Sequence, residues 1–489
     1  MSARPDRDAF DPAPAEREQA VRDRADPRRV PDLASPRRIH VVNVGGAGMS
    51  AVATVLAQMG HAVSGTDHNE TPFLGPLRAL GVDVAVGPAS PAAPASAVVV
   101  TSTATPTDHP DVVSATRAGV PVVHRRDVLA AICTQRQVTA VAGTHGKSTT
   151  SAMLATILDG AGDGAGFLVG TRVPGLGANA DWRTGPGFVV EADESDGTFL
   201  TLGAHHGVVT NLEADHLSYW GSEDALFDGF RRFVRQLEGA AVLCLDDPGA
   251  AGLVADARQP VTYGTHAAAD HRLHDIRPEG IGVAYTHEHD GRRVEVTVPS
   301  APGAHNARNA AGAIAAAVTA GVPLDVAARA LGRFAGVARR FEVRGEANGI
   351  TFVDSYDHLP TEVAAAVQAA RSGPFERVVC VFQPHRYTRT RDLAPTFADA
   401  FVGVDLLAVT ELYPAGEPPI EGVTGRLVLE AVTEAHPDLP ARFLPDLDAA
   451  TTWLLDVLES GDCCLTLNAG DLTRVPDRVL EILEAGHGN

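Results

Sequence analysis

Lysine is almost missing from this 489-residue chain: it occurs once, at Lys147, and the other strongly basic side chains are arginine. Cysteine is scarce too. The five present (Cys133, Cys244, Cys380, Cys463 and Cys464) are scattered without zinc-type spacing, so they read as buried small residues in a reducing compartment. Cys463 and Cys464 would point to opposite faces of a strand, which argues against a bridge between them. No apolar run approaches the roughly 20 residues needed to span a bilayer, and Met1-Ser2-Ala3-Arg4-Pro5-Asp6 lacks the apolar core of a secretory signal. The expected location is therefore cytoplasmic. Positive charge is short overall: the formal charge is −21, so long-range repulsion opposes nucleic acids and anionic membranes, and an anionic substrate must be held by local groups.

What remains is an ordinary globular composition, 45% hydrophobic and 21% charged with a mean hydropathy of zero, in a chain too long for one core. Residues 1–36 are rich in Arg, Asp, Ala and Pro without apolar periodicity and are expected to form a disordered tail. Beyond it, strands and helices alternate. An apolar strand at Ile39 to Val44 leads through Gly45 to Gly48 into a helix from Met49 to Met59, followed by strands at Ala62 to Asp67 and Ala97 to Thr101. A second unit begins at Val138 to Ala142, with a helix from Lys147 to Leu158 and strands at Gly187 to Val190 and Gly207 to Thr210. Residues 240 to 300 read as short strands and hairpins, and Ala310 to Ala320 as a helix; the segment Leu331 to Ala338 closes the middle domain. A third unit has strands at Gly349 to Asp354, Val378 to Phe382, Leu406 to Thr410 and Cys463 to Leu467. This alternation predicts an α/β protein of three domains: a Rossmann-like one over 37–136, a P-loop-type parallel sheet with added strands over 137–337, and a second Rossmann-like one over 338–489.

The single lysine lies in Gly143-Thr144-His145-Gly146-Lys147-Ser148-Thr149, between an apolar strand and a helix. Backbone N–H groups and the helix dipole face an anion in that context, the ammonium can bridge terminal phosphates, and the Ser148 or Thr149 hydroxyl can ligate Mg²⁺. The strict phosphate-loop pattern wants glycine where Val141 stands. Two segments that carry acids, Glu191-Ala192-Asp193-Glu194-Ser195-Asp196 and Thr210-Asn211-Leu212-Glu213-Ala214-Asp215-His216, each follow a strand. They are expected at the carboxyl ends of the sheet, where ligands collect.

These motifs, with Gly45-Gly46-Ala47-Gly48-Met49-Ser50, His305-Asn306-Ala307-Arg308-Asn309, Arg339-Arg340-Phe341-Glu342, Gln383-Pro384-His385-Arg386-Tyr387-Thr388-Arg389-Thr390 and Tyr413-Pro414-Ala415-Gly416-Glu417, resemble the Mur ligase family of peptidoglycan synthesis from Arg38 to the C-terminus. The short turn Gly-Thr-His-Gly-Lys-Ser is a variant seen in that family and in folylpolyglutamate synthases. The resemblance implies a UDP-sugar domain, an ATPase domain and an amino-acid domain that closes onto it. It further implies ATP and Mg²⁺, with L-alanine joined to the lactyl carboxylate of UDP-N-acetylmuramate through an acyl phosphate. By position, Gly45, Gly46, Ala47, Gly48, Met49 and Asp67 would hold the UDP-sugar, and Gly143 through Thr149 the phosphates of ATP. Ser148 and Glu191 would ligand one Mg²⁺ and His216 help a second; His305 and Asn309 would face adenosine, and Arg340 the phosphates. Tyr356, His358, Arg386 and Arg389 would receive alanine, the two guanidinium forks gripping its carboxylate. The Gln-Pro-His-Arg-Tyr stretch favours alanine addition over the related tripeptide-recycling ligase, and the absence of a second lysine excludes the carbamylated-lysine metal arrangement of several relatives. The oligomeric state, monomer or homodimer, stays open.

One segment departs from the family's common Asp-Asp-Tyr-Ala-His-His-Pro: here Asp354-Ser355-Tyr356-Asp357-His358-Leu359-Pro360 stands, and either Asp354 or Asp357 could replace the missing acid. A catalytically dead paralogue is one reading of that change. A nicotinamide oxidoreductase is another competing reading, because Gly46-Ala47-Gly48-Met49-Ser50-Ala51 with Asp67 fits a dinucleotide fingerprint; the second phosphate turn has no place in such an enzyme. His266, His271, His274, His287 and His289 invite a metal site but are expected to be solvated in a polar hairpin region.

Overall fold

A computed structural model describes residues 32–87 and 95–485. The expected disordered tail lies outside the described residues up to residue 31. Within its last positions, Leu33 is buried and Asp32 pairs with Arg37, so structure begins before the expected boundary. The chain forms two compact units: one from residues up to Arg172, Ala178–Asp270 and Gly312–Val322, the other from Val173–Gly177, His271–Ala311 and Pro323 onward.

The first unit holds one parallel sheet and one mainly parallel sheet. In the first, β1 (Arg38–Val42), β2 (Ala62–Asp67), β3 (Asp83–Val86), β4 (Val98–Thr101) and β5 (Val122–His124) run in the order β3-β2-β1-β4-β5. The order reverses beside β1, which opens a crevice beyond its carboxyl end, and the glycine turn at Gly45 sits there. The second contains β6 (Gln137–Ala142), β7 (Gly166–Val173), β8 (Ala178–Asp181), β9 (Gly187–Glu191), β10 (His206–Val209), β11 (Ala241–Cys244) and β12 (Pro260–Gly264), in the order β12-β11-β10-β6-β9-β7-β8. β6 is flanked by β9 and β10, both parallel to it, so the loops that follow all three leave on one side. The helix Lys147–Gly160 that follows β6 is buried nearly all round from Ser148 to Leu158, which is why that stretch carries only small hydroxyl and apolar residues and is not amphipathic.

In the second unit, β13 (His271–Glu279), β14 (Gly282–His289) and β15 (Arg292–Val298) form an antiparallel meander. A further sheet, in the order β16-β17-β21-β18-β19-β20, joins β16 (Glu342–Ala347), β17 (Ile350–Ser355), β18 (Arg377–Gln383), β19 (Leu406–Thr410), β20 (Ala441–Leu444) and β21 (Asp462–Asn468). All neighbours are parallel except the hairpin β16-β17. Both faces are covered: Val378, Cys380 and Phe382 enter one core while Val379 and Val381 enter the other, the period-two alternation of a strand buried on both sides. Cys463 and Cys464 go to opposite cores by the same rule, and all five cysteines are buried and none is in a disulfide. Among the described residues no helix is long and apolar enough to cross a membrane.

The solvated-histidine expectation needs correction. His271 and His287 are buried and hydrogen-bonded to each other at 2.9 Å, and His289 stacks on His271 with ring centroids 3.8 Å apart. The register explains it: His271 lies opposite His289 and Leu273 opposite His287, so the three rings share one face of the β13-β14 ladder, while Arg272 and Glu288 pair on the other. The helix expected at Ala310 begins earlier, at Ala304, and runs to Thr319.

Candidate active site

At the carboxyl end of β1, Asp67 Oδ2 accepts a hydrogen bond from the Gly45 N–H at 2.9 Å, and Thr71 Oγ1 donates to the Gly45 carbonyl at 3.0 Å. A Cβ at Gly45 would stand 2.8 Å from Asp67 Oδ2, and one at Gly48 would stand 2.9 Å from Arg125 Nη1. At Gly45 the carboxylate that holds its N–H leaves no room for a side chain, whereas at Gly48 the flexible end of Arg125 would have to give way. Gly46 caps the helix Ala47–Gln58, whose first turn carries no acid, leaving its dipole for an anion. Met49 is buried in the core, so only its backbone faces the turn. From β8, Asn179 Nδ2 donates to the Ala47 carbonyl at 2.9 Å and fixes that first turn.

The phosphate turn after β6 is more tightly drawn. Gly143 has φ 131°, and a Cβ there would lie 2.1 Å from Thr210 Oγ1; Gly146, at φ 81°, caps the helix Lys147–Gly160. Both are positions that L side chains rarely adopt. The residues after β10 hold the loop: the His145 N–H donates to Asn211 Oδ1 at 2.8 Å, the Asn211 amide donates back to the His145 carbonyl at 3.0 Å, and Thr144 exchanges bonds with Glu213. His145 Nε2 lies 2.6 Å from Glu213 Oε2.

Lys147 Nζ donates to the Gly143 carbonyl at 2.7 Å, the Thr144 carbonyl at 3.1 Å and Glu194 Oε1 at 2.8 Å. Burial pushes its ammonium pKa down, but the charges of Glu194 and Asp193 more than offset this and raise it, so the ammonium stays charged. Ser148 Oγ, in the first turn of the same helix, donates to Glu191 Oε1 at 2.8 Å, and the Gly170 N–H reaches Glu191 Oε2 at 2.5 Å. A hydroxyl and a carboxylate side by side at a helix N-terminus are hard oxygen donors of the kind Mg²⁺ takes, in the small number it needs. Thr149 is buried in the same turn. His216, at φ 54°, lies 3.4 Å from Asp215 Oδ2 and 3.9 Å from Glu194 Oε1, so it stands beside the lysine's partner. Among the described residues no three His, Cys, Asp or Glu side chains form a ready metal cluster. Arg125 pairs with Asp193 at 3.0 Å and Asp196 at 3.4 Å, so the arginine that covers the first glycine turn also holds the acidic loop after β9. Glu194 and Asn211 lie within the two segments expected at the carboxyl ends of the sheet, but their partners, 47 and 66 residues away, are not legible in a linear reading, and Arg125, whose partner is 68 residues away, has no signal of its own.

In the second unit, His305 and Asn309 occupy the first two turns of the helix Ala304–Thr319. Burial, and less so Arg308, depresses the pKa of His305 to about 4, and Asn309 Nδ2 donates to Asn306 Oδ1 at 3.1 Å. The other candidates gather beyond the carboxyl ends of β17 and β18. Arg339 and Phe341 both have positive φ (61° and 49°), and this strained segment is pinned by the Phe341 N–H donating to Ser355 Oγ at 2.9 Å and the Tyr356 N–H donating to the Arg339 carbonyl at 2.8 Å. Both guanidiniums then lie over the Tyr356 ring, Arg339 at 4.7 Å and Arg340 at 5.4 Å from its centroid.

His358 Nδ1 lies 3.1 Å from the Tyr356 carbonyl, which can only accept, so Nδ1 carries the proton and Nε2 keeps its lone pair. Burial holds the His358 pKa below the usual imidazole value. Its ring meets His385 edge-on at 5.6 Å. Arg389 Nη1 donates to His385 Nδ1 at 3.0 Å; burial first, then His358, Arg389 and Arg386, lowers His385 to about 3 and keeps it neutral as an acceptor. Arg386 caps the helix Tyr387–Leu393 at φ 69° and ψ 142°, a conformation nearly reserved for glycine. Its N–H donates to the Tyr413 carbonyl at 2.8 Å, which holds the strain in place. Tyr356, His358, Arg386 and Arg389 are thus brought to one end of one sheet, with Arg340.

Comparison with known proteins agrees over the chain's length. Residues 38–137 match the Mur ligase family catalytic domain, 141–317 the Mur ligase middle domain, and 339–470 the Mur ligase glutamate ligase domain. A UDP-N-acetylmuramate–L-alanine ligase of Anaeromyxobacter sp. (strain Fw109-5) is 43% identical over 457 residues, covering 92% of this chain and 98% of that one. The crystal structure of the UDP-N-acetylmuramate–alanine ligase of Thermotoga maritima superposes with a TM-score of 0.79 at 28% identity, over 92% of this chain and all of that one. A murein peptide ligase of Psychrobacter arcticus 273-4 gives 0.68 at 25% identity over 91% of this chain and 98% of that one. No oxidoreductase architecture accounts for a second phosphate turn on a second sheet, and the chain belongs to the Mur ligase family.

Proposed function

We propose that the chain joins L-alanine to the lactyl carboxylate of UDP-N-acetylmuramate, converting ATP to ADP and phosphate. The observation that carries this reading is the lone lysine, seated with a hydroxyl–carboxylate pair on a glycine turn, in a chain 43% identical to a ligase of that name. The division into a UDP-sugar domain (37–136), an ATPase domain (137–337) and an amino-acid domain (338–489) follows from it. So does a cytoplasmic location, where both nucleotides are available.

A carboxylate is a poor electrophile until one oxygen becomes part of a leaving group. In the first step a lactyl carboxylate oxygen attacks the γ-phosphorus of ATP, and the bond from that phosphorus to the bridging oxygen of ADP breaks. Lys147, the N–H groups of Gly143 through Thr149 and Arg340 neutralise the migrating charge, which is most of what phosphoryl transfer needs from a protein. Ser148 and Glu191 would hold Mg²⁺ and His216 would help hold a second ion, which supplies further charge neutralisation on the phosphate oxygens. Gly45, Gly46, Ala47, Gly48, the Met49 backbone and Asp67 seat the UDP-sugar, while His305 and Asn309 face adenosine.

In the second step the alanine nitrogen attacks the acyl carbon, a C–N bond forms, and the C–O bond to phosphate breaks. Arg386 and Arg389 hold the alanine carboxylate, Tyr356 lines the same end of the sheet, and His358 Nε2 accepts a proton from the amine. That role needs a free lone pair and a pKa below the ordinary imidazole value, both of which support the assignment.

The test is phosphate release from ATP with UDP-N-acetylmuramate while single amino acids are varied. Release is expected with alanine and its small relatives and should fall by about a thousandfold in Lys147→Arg, because the planar guanidinium cannot replace a compact ammonium in so closed a turn. Release without any amino acid, or near-normal turnover of Lys147→Arg, contradicts the reading.

A further inference from the structure

The segment that departs from the family pattern contains two acids, and the structure separates their roles. Asp354 is wholly buried and its oxygens are filled: Oδ1 accepts from Thr466 Oγ1 at 2.8 Å and Asn468 Nδ2 at 2.9 Å, and Oδ2 accepts from Thr473 Oγ1 at 2.7 Å. Arg339 and Arg344 each stand 3.9 Å from Oδ2. This carboxylate ties β17 to β21 and has no edge left for a substrate. Ser355, where an acid is common in the family, anchors the strained Phe341 instead.

Asp357 is placed differently. It follows Tyr356, whose ring carries Arg340, and its Oδ1 lies 3.9 Å from Arg340 Nη1; the aspartate side chain is 14% exposed and the arginine 34%. A guanidinium has several N–H donors in a rigid fork. A carboxylate at ion-pair distance from Nη1, too far for a direct hydrogen bond, and an aromatic ring 5.4 Å from the guanidinium carbon bias the fork's direction. A strained backbone on both sides of Arg340 narrows its freedom further.

We infer that Asp357 is a positioning residue for Arg340: it holds the guanidinium by one edge so that the opposite edge is presented to the phosphates of ATP. The inference rests on the phosphate role assigned to Arg340 above. It also gives a place to the acid that stands where the family pattern has alanine: the added charge is paired with the arginine that precedes the β16-β17 hairpin.

A double-mutant cycle tests it. Asp357→Asn, which keeps the shape and removes the charge, is expected to raise KM for ATP or lower kcat by about tenfold in total, while KM for alanine changes by less than about twofold. In an Arg340→Ala background the same change should alter neither parameter by more than about twofold, since nothing remains to be positioned. Asp357→Ala, which restores the small side chain of the family pattern, serves if the asparagine variant folds poorly, as judged by its melting temperature. Equal effects of Asp357→Asn in both backgrounds, or a rise confined to KM for alanine, would overturn the inference. If Arg340→Ala alone leaves ATP kinetics unchanged, the phosphate role of Arg340 fails, an outcome separate from failure at Asp357.

Discussion

The residues of the proposed site are held by contacts within their own turns and loops. Lys147 caps two carbonyls of its own turn and a buried glutamate, a preorganised charge that stays on at any working pH because Glu194 and Asp193 outweigh the cost of burial. Arg386 is held in a backbone conformation that only surrounding structure can maintain, and strain of that kind persists where a side chain's aim matters. Arg389 is steered by a neutral histidine. From these two arginines a kinetic split follows. Arg386→Ala is expected to raise KM for alanine about tenfold or more and KM for ATP by less than about twofold, as measured by initial rates with each substrate varied in turn. Equal rises would place the guanidinium somewhere other than on the amino-acid carboxylate.

At the scale of elements, strands supply position and the loops after them supply chemistry. β6, β9 and β10 are adjacent and parallel, so the lysine turn, the Glu191 loop and the Asn211 loop converge, although their residues are far apart in sequence. The meander carries a different consequence. Burial, with smaller contributions from His271 and His289, depresses His287 from 6.5 to about 3. Between those values the unfolded chain binds a proton that the folded chain does not, so stability rises with pH across this window and is lost as pH falls from about 6.5 toward 3. His287→Gln, which cannot titrate, should flatten part of the fall in melting temperature between about pH 6.5 and pH 4. An unchanged slope would mean that His287 does not titrate as a buried neutral ring.

The element scale also shows where sequence reading stops. Interior strands such as β6 and β18 are legible because burial on both faces forces a continuous apolar run. β16 is not legible as an apolar run: Glu342–Ala347 is an edge strand in which Glu342, Arg344 and Glu346 alternate with Val343, Gly345 and Ala347, although Asn348-Gly349, at φ 55° and 75°, is the turn that joins it to β17. β3 and β20 are edge strands of four residues each. The histidines of β13 and β14 were misjudged because pairing register, not composition, sets which face they occupy.

For the whole molecule, family membership is more legible than packing, and for a physical reason. Phosphate turns and paired arginines demand particular residue types at fixed local spacings, so they survive in a linear reading. Partnerships such as Lys147 with Glu194, Arg125 with Asp193, or Asp354 with Thr466 depend on long-range strand order and cannot be read that way. The account reduces to one claim: the sugar's carboxylate is activated by phosphoryl transfer before the amine attacks. Turnover of UDP-N-acetylmuramate labelled with ¹⁸O in its lactyl carboxylate tests this directly by mass spectrometry of the inorganic phosphate released. One labelled oxygen per phosphate is predicted for each amide formed with alanine. Amide formation with unlabelled phosphate would contradict it.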